Sequence, residues 1–226
     1  NFIADGENAI AAIGASYPVT MLFMAFAVGY NSGCSVICSN LFGSHKFGRL
    51  RTAIWTSVIS SAVLSLILTV TGIVFSADIA QALNTPSEIF EDACAYLNIY
   101  VYGVPFLFLY NVCTGIFSAL GDSRTPLYFL IGSSIANIIL DILMITVFGM
   151  GVEGVAWATF IAQGISSVLS VFTLLKRVKQ IESEKPELFS KKALLQITRI
   201  SVPSILQSSF VRNPKMLWWV ALCPPF

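Results

Sequence analysis

The chain has 226 residues, of which 56% are hydrophobic and only 11% are charged. Soluble domains carry about 25% charged residues, so this composition excludes an ordinary water-soluble fold and predicts an integral membrane protein. The formal net charge of +1 gives no bias toward nucleic acid, and the lipid bilayer is the partner that we expect.

Five apolar segments are each long enough to form a helix across the hydrocarbon core, which takes about 20 residues. In chain order they are 9–41, 53–75, 95–120, 126–148 and 152–175. The first is longer than one crossing needs, and Gly29 and Gly33 within it predict either a bend or a close helix neighbour.

The third span combines a predicted start signal with a predicted kink. Thr85, Pro86 and Glu88 fit an N-cap, a first helical position and a capping-box acid. Pro105 lies inside the apolar part of the span, where a proline removes one backbone hydrogen bond and bends a helix.

The connecting loops alternate between basic and acidic, which fixes the direction of each span. Eleven of the thirteen Lys and Arg residues fall in or beside the loops 43–51, 121–125 and 176–192. The positive-inside rule places these loops in the cytoplasm. The loops between them on the opposite side carry acidic residues and no basic ones. Asp5 and Glu7 precede the first segment and basic residues follow it, so it crosses the membrane an odd number of times, and one bent span is the simplest interpretation.

The sequence thus predicts an all-α, polytopic transmembrane bundle of about five complete spans plus the start of another. Residues 1–192 form the main transmembrane unit, which ends in the cytoplasmic loop 176–192. Residues 193–211, with Pro203, begin a further span without completing it, and residues 212–226 form an atypical tail.

Asp141 is the one acidic or basic residue inside a complete span. No other charged residue lies between Arg124 and Glu153. A charged group near the bilayer centre costs at least about 2.5 kcal/mol on insertion scales, so it usually faces a protein interior and has a function. Asn137 lies one helical turn earlier on the same face, and Ser134 extends this polar stripe.

Carboxylate, amide and hydroxyl oxygens suit a hard cation such as Na⁺, and a carboxyl group in a low-dielectric site can also carry a proton. Both interpretations make Asp141 an ion-coupling residue, and the alternative is a structural hydrogen bond to a neighbouring helix. The five cysteines and His45 show no metal-ligand spacing, so we expect no metal beyond Na⁺ at Asp141 and no cofactor.

Four stretches of the chain are similar to one transporter family. They read GENAIAAIGASYPVTMLF, GYNSGCSVICSNLFGSHKFGRLR, SALGDSRTPLYFLIGSSIANIILDILMITVFGMGVEGVAWATFIAQ and LLQITRISVPSILQS. The chain resembles multidrug and toxic compound extrusion (MATE) transporters, and the third stretch is the most specific of the four.

The resemblance implies an incomplete N-terminal lobe of a cation-driven exporter, comprising its second to sixth helices and the start of the seventh. It places the cation-coupling residues at Asn137, Asp141 and Thr159. Gln163, four residues after Thr159 on the same face, is a further candidate for the polar lining. For Thr159, a hydroxyl bonded to its own helix is the alternative.

The implied function is Na⁺- or H⁺-coupled antiport that exports drugs or other small organic molecules, cations among them, across a bacterial inner membrane. The family's first helix, which contributes a further acid, and its second lobe have no counterpart in this sequence, so an inactive transporter fragment is one alternative. A related lipid-linked oligosaccharide flippase is another, although its anionic substrate favours basic residues within the spans. An enzyme is not expected, because the spans contain no acid cluster and no Ser/His pair.

Overall fold

Helices make up almost all of the computed structural model, which describes residues 6–83, 85–181 and 187–212. The part described contains no β-strand. The helices are α1 (Gly6–Gly43), α2 (Phe47–Val74), α3 (Ser76–Ala82), a 3-10 turn (Ser87–Ile89), α4 (Phe90–Tyr102), α5 (Val104–Ala119), α6 (Arg124–Thr146), α7 (Val152–Lys179) and α8 (Lys191–Arg212).

Four of these helices, α1, α2, α6 and α7, are each long and apolar enough to cross a membrane, and the bent pair of α4 and α5, when counted as one span, is a fifth. The predicted fold class is therefore confirmed. The helices extend past the apolar segments because interfacial residues continue the same hydrogen-bonded turns. Within the described residues α8 does not qualify as a span, and the tail predicted at 212–226 lies, from residue 213 onward, outside the described residues.

The third span is broken at Gly103, where α4 and α5 meet at 45°. Pro105 occupies the first turn of α5, where its missing N–H costs no hydrogen bond, so the predicted kink is confirmed as a complete break. The predicted start is wrong: Thr85 forms no cap, and the 3-10 turn begins at Ser87 without a side-chain cap. Burial of Ile89 in a small apolar cluster with α1 and α4 fixes the entry instead.

Helix α1 lies at the centre of the bundle and packs against α2, α4, α5 and α8. It is one uninterrupted helix, so its glycines serve the second predicted purpose, a close neighbour. A Cβ on Gly29 would lie 2.5 Å from the backbone of Ile205, and one on Gly33 would collide with Ser201. The absence of these two side chains lets α8 lie directly against α1.

Candidate functional site

Helix α6 carries the predicted polar stripe on the face that it turns toward α7. Its main partner in the bundle is α7, and none of its residues is fully buried. Asn137 and Asp141 are half-buried, whereas the isoleucines of the opposite face, Ile135 and Ile139, are more than half exposed. The apolar isoleucine face suits lipid or another helix, and the polar face is kept inside the protein.

Asn137 and Thr159 meet across the α6–α7 pair. The Asn137 side-chain nitrogen donates a hydrogen bond to the Thr159 hydroxyl oxygen over 3.3 Å. The same hydroxyl donates to the carbonyl oxygen of Val155 over 3.0 Å. The hydroxyl is thus bonded to its own helix, as the structural alternative predicts, and also accepts a bond from Asn137, because a hydroxyl both donates and accepts. Its part in cation coupling stays a prediction.

Asp141 lies one turn further along α6 and has no hydrogen-bond partner within the described part of the chain. Its Oδ1 atom is inaccessible to solvent and unpaired. The structural alternative, a hydrogen bond from a neighbouring helix, is not formed there. Tyr96 of α4 is close enough to interact electrostatically with this carboxylate. A buried carboxylate oxygen without a donor is costly, so the position is suited to receive a positive ion or a proton.

The approach of α6 to α7 depends on a glycine near the short turn that joins them. A Cβ on Gly154 would lie 2.8 Å from the Cβ atom of Met150 and 3.2 Å from that of Met144. With no side chain at this position, the first turn of α7 packs directly under the last turns of α6. This packing sets the helix separation that brings Asn137 and Thr159 within hydrogen-bonding distance.

The two further candidates for the polar lining lie elsewhere. Ser134 is exposed and makes no side-chain hydrogen bond among the described residues. Gln163 is half-buried and directed toward the break in the third span, with its Oε1 atom 3.7 Å from the place of a Cβ on Gly103. Neither side chain is brought to Asn137 and Asp141, and their assignment to the lining stays a prediction.

The structure also shows polar groups that the sequence did not single out. The side-chain oxygens of Asn31 on α1 and Asn98 on α4 are buried, and neither has a hydrogen-bond partner in the described ranges. Each amide stands in an apolar span, which is the signal that could have identified it, but amides that join helices produce the same signal. The proximity of Tyr96 to Asp141 has no counterpart in the sequence, because it depends on how α4 packs.

The aromatic residues of the third span mostly pack within the protein. Phe108 is fully buried in the core, and the ring of Phe106 lies edge-on to that of Phe160 with centroids 5.4 Å apart. Tyr102, by contrast, is 51% exposed. Packing thus accounts for Phe106 and Phe108 without a bound drug.

Oxygen atoms dominate the chemistry of the candidate site. Within the described ranges, no three His, Cys, Asp or Glu side chains come together as they would around a transition metal. A carboxylate, an amide and a hydroxyl can contribute oxygen ligands to Na⁺, and the carboxylate alone can take up a proton.

Comparison with known proteins places the chain among transporters of one kind. The MatE family model matches residues 3–143. The chain is 30% identical to the probable multidrug resistance protein YoeA of Bacillus subtilis, with 91% of this chain and 46% of that protein covered. It is 27% identical to the multidrug export protein MepA of Staphylococcus haemolyticus, with 89% and 45% covered.

Solved structures agree with this comparison. The outward-facing conformation of a multidrug resistance MATE family transporter superimposes with a TM-score of 0.83 at 26% identity, covering 90% of this chain and 46% of that one. The chain spans about half the length of the curated relatives that it matches.

Proposed function

Because this chain belongs to the MatE family of multi-pass membrane transporters, we propose that it supplies the cation-coupling site of an antiporter. The antiporter exports drugs or other small organic molecules, cations among them, across the bacterial inner membrane. The multidrug names and bacterial sources of the relatives support the substrate class and the location. The coupling ion is Na⁺ or H⁺.

One observation supports this proposal above the others: Asp141 Oδ1 is buried and unpaired one turn from the hydrogen-bonded Asn137 and Thr159. A structural carboxylate inside a span would be expected to have a donor, because an unpaired buried acceptor costs about 1–3 kcal/mol and more when charged. A carboxylate that alternately holds and releases an ion needs a vacant oxygen.

In the proposed mechanism, an ion from outside reaches Asp141 and neutralises it, and this favours the state that releases the organic substrate outward. Once the substrate has left, the ion-loaded protein opens to the cytoplasm, where release of the ion restores the charge and allows the next substrate molecule to bind. A ligand shifts such an equilibrium only by its difference in affinity between the two states. One charge that crosses 100 mV contributes about 2.3 kcal/mol, so the membrane potential assists the ion gradient.

The test is dye efflux from vesicles that contain the complete gene product, under a Na⁺ gradient or a pH gradient imposed separately. Asp141→Asn keeps the size of the side chain but removes its charge and its ability to bind a proton. We expect efflux driven by the coupling gradient to fall by about tenfold or more, the range of typical coupling energies.

Glu153→Gln is the matched control, because it also removes one carboxylate but from an exposed position in the first turn of α7. It should export dye at the parent rate. Equal efflux by Asp141→Asn and the parent under both gradients would contradict the coupling role. If Thr159→Val and Asn137→Ala lower the affinity for Na⁺ but leave proton-driven efflux unchanged, these two side chains coordinate Na⁺ in the site.

A further inference from the structure

A cleft of about 600 Å³ opens at the cytoplasmic end of the bundle, remote from the α6–α7 site. It lies between the first turns of α2 and α8, closed on one side by the end of α1. Its polar side chains are Lys46, Arg49, Thr52, Glu187, Ser190, Lys192 and Gln196. A volume of this size is typical of small-molecule sites.

The charge of this cleft is predominantly positive. Lys46 and Arg49 come from the start of α2 and Lys192 comes from the start of α8, whereas among the described residues Glu187 is the one acid in the lining. None of the three basic side chains forms an ion pair with a carboxylate of the described residues. Cations that converge from two helices without a partner repel each other, and an anion between them relieves that repulsion.

The wall that carries Glu187 and Ser190 is fixed to α2 by two hydrogen bonds. The backbone N–H of Glu187 donates to the Thr52 hydroxyl over 3.2 Å, and that of Ser190 donates to the Thr56 hydroxyl over 3.1 Å. Residues 187–190, the linker strap, are thus held against the helix. The cleft is therefore a preformed concavity, which lowers the entropic cost of binding.

Topology alone explains why basic residues lie on this side, but not why three of them line one concavity. The positive-inside rule acts on charges in loops wherever they point. Arginine and lysine are the usual residues for phosphate recognition, with hydroxyls and amides as additional donors. Ser190 and Gln196 supply such donors here.

We propose that this cleft is a binding site for a phosphate group, presented either by the headgroup of an anionic phospholipid of the inner leaflet or by a soluble phosphate ester. The bound phosphate lies between Arg49 of α2 and Lys192 of α8. It joins the two helices across the linker strap, and so makes their separation depend on the surrounding lipid or metabolite.

The experiment measures dissociation constants by native mass spectrometry and thermal unfolding of the purified chain in neutral detergent. The probes are phosphatidylglycerol, phosphatidylcholine and glycerol 3-phosphate. We expect saturable binding of phosphatidylglycerol or glycerol 3-phosphate, weakened by salt, and a raised Tm with added ligand. The Arg49→Gln/Lys192→Gln variant should bind at least about tenfold more weakly, since it loses two charge-assisted hydrogen bonds.

Lys179→Gln is the matched control, because Lys179 is an exposed basic residue in the last turn of α7 outside the cleft. It should bind within about twofold of the parent. The variant Arg49→Lys/Lys192→Arg keeps the charge, and its thermal unfolding shows that the helices remain folded when these two positions are substituted. Binding of phosphatidylglycerol alone identifies the lipid headgroup as the source, and equal binding of glycerol 3-phosphate identifies a soluble ester. The proposal is overturned if neither binds more tightly than phosphatidylcholine, or if Lys179→Gln weakens binding as much as the cleft variant.

Discussion

Asp141 is an ionisable residue in a largely apolar span. Its side chain is only half-buried, yet its Oδ1 atom reaches neither water nor a donor. The free energy that this arrangement costs is recovered only when a positive species is present. In the proposed mechanism, the residue is a switch whose two states differ in charge.

Asp122 shows the opposite behaviour, a carboxylate whose hydrogen bonds are complete. It accepts bonds from the Thr125 hydroxyl over 2.7 Å and the Thr125 N–H over 3.1 Å at the start of α6. These bonds lower the pKa of Asp122, with the charge of Arg177 as a minor contribution. Asp122 directly precedes the N-cap residue Ser123 and satisfies a backbone N–H of the first turn of α6.

The depressed pKa of Asp122 predicts a pH dependence of stability. Because the folded pKa lies below the unfolded one, its stabilisation is complete above the unfolded pKa of about 3.9 and is lost as pH falls through the folded pKa. At neutral pH we expect Asp122→Ala to lower the free energy of unfolding by about 1 kcal/mol. Thermal unfolding of both proteins in detergent measures this difference, which should shrink below about pH 4. A difference independent of pH would show that the carboxylate charge is not the cause.

The candidate site could be predicted from the sequence only in part. Asp141 was identifiable because the apolar span around it contains no other charge, and Asn137 because helical periodicity puts it on the same face. Thr159 was assigned through the family resemblance, and its hydrogen bond depends on the packing of α6 on α7. The proximity of Tyr96 depends on the three-dimensional position of α4, which no local pattern encodes.

At the scale of helices, glycine determines which pairs approach closely. Gly29 and Gly33 accommodate α8, and Gly154 accommodates the end of α6. The close approach at Gly29 and Gly33 was predictable from their spacing, which places two small residues on one helix face. The spacing could not predict which helix would fill the groove, because that partner lies more than 150 residues further along the chain.

Gly33→Ala should destabilise the α1–α8 pair. Its Cβ would collide with Ser201 and would lie 2.7 Å from the carbonyl oxygen of Ile197, and overpacking of this kind costs about 1–3 kcal/mol. Thermal unfolding in detergent should show a lower Tm.

The control for this substitution is Gly14→Ala, on the same helix with no atom within 4 Å of the new Cβ. This variant should be as stable as the parent or slightly more so, since alanine favours helix. If both variants unfold at the parent temperature, the close approach of α8 to α1 does not contribute to stability.

For the whole molecule, we expect the charge of the loops to determine which ends of the spans face the cytoplasm. This expectation is tested by three variants, each with one residue replaced by cysteine, at Ser44, Ser123 or Phe148. All three positions are exposed in connections between spans. We expect a membrane-impermeant maleimide to label Phe148→Cys in intact cells, and Ser44→Cys and Ser123→Cys only after permeabilisation. The parent chain, with its native cysteines, gives the background. Labelling of Ser44→Cys in intact cells would show that the topology is the reverse of the one expected.

The number and order of the spans followed from the sequence because each span is a local property, namely a run of apolar residues. Their direction, inferred from the charge of the loops, stays a prediction. The arrangement of the bundle did not follow from the sequence, because contacts between α1 and α8 or between α6 and α7 are decided by shape. The third span combines a local feature with a tertiary one. Pro105 indicated the kink, but the break at Gly103 and its 45° angle depend on tertiary packing.

Helix α8 is attached at both its ends to the preceding helices. The linker strap before it is hydrogen-bonded to α2, and Ile205 near its end lies against Gly29 of α1. A displacement of α8 is therefore transmitted to α1 and α2 through these contacts. We therefore expect α8, as far as Ile205, to move together with α1 and α2 as one rigid unit.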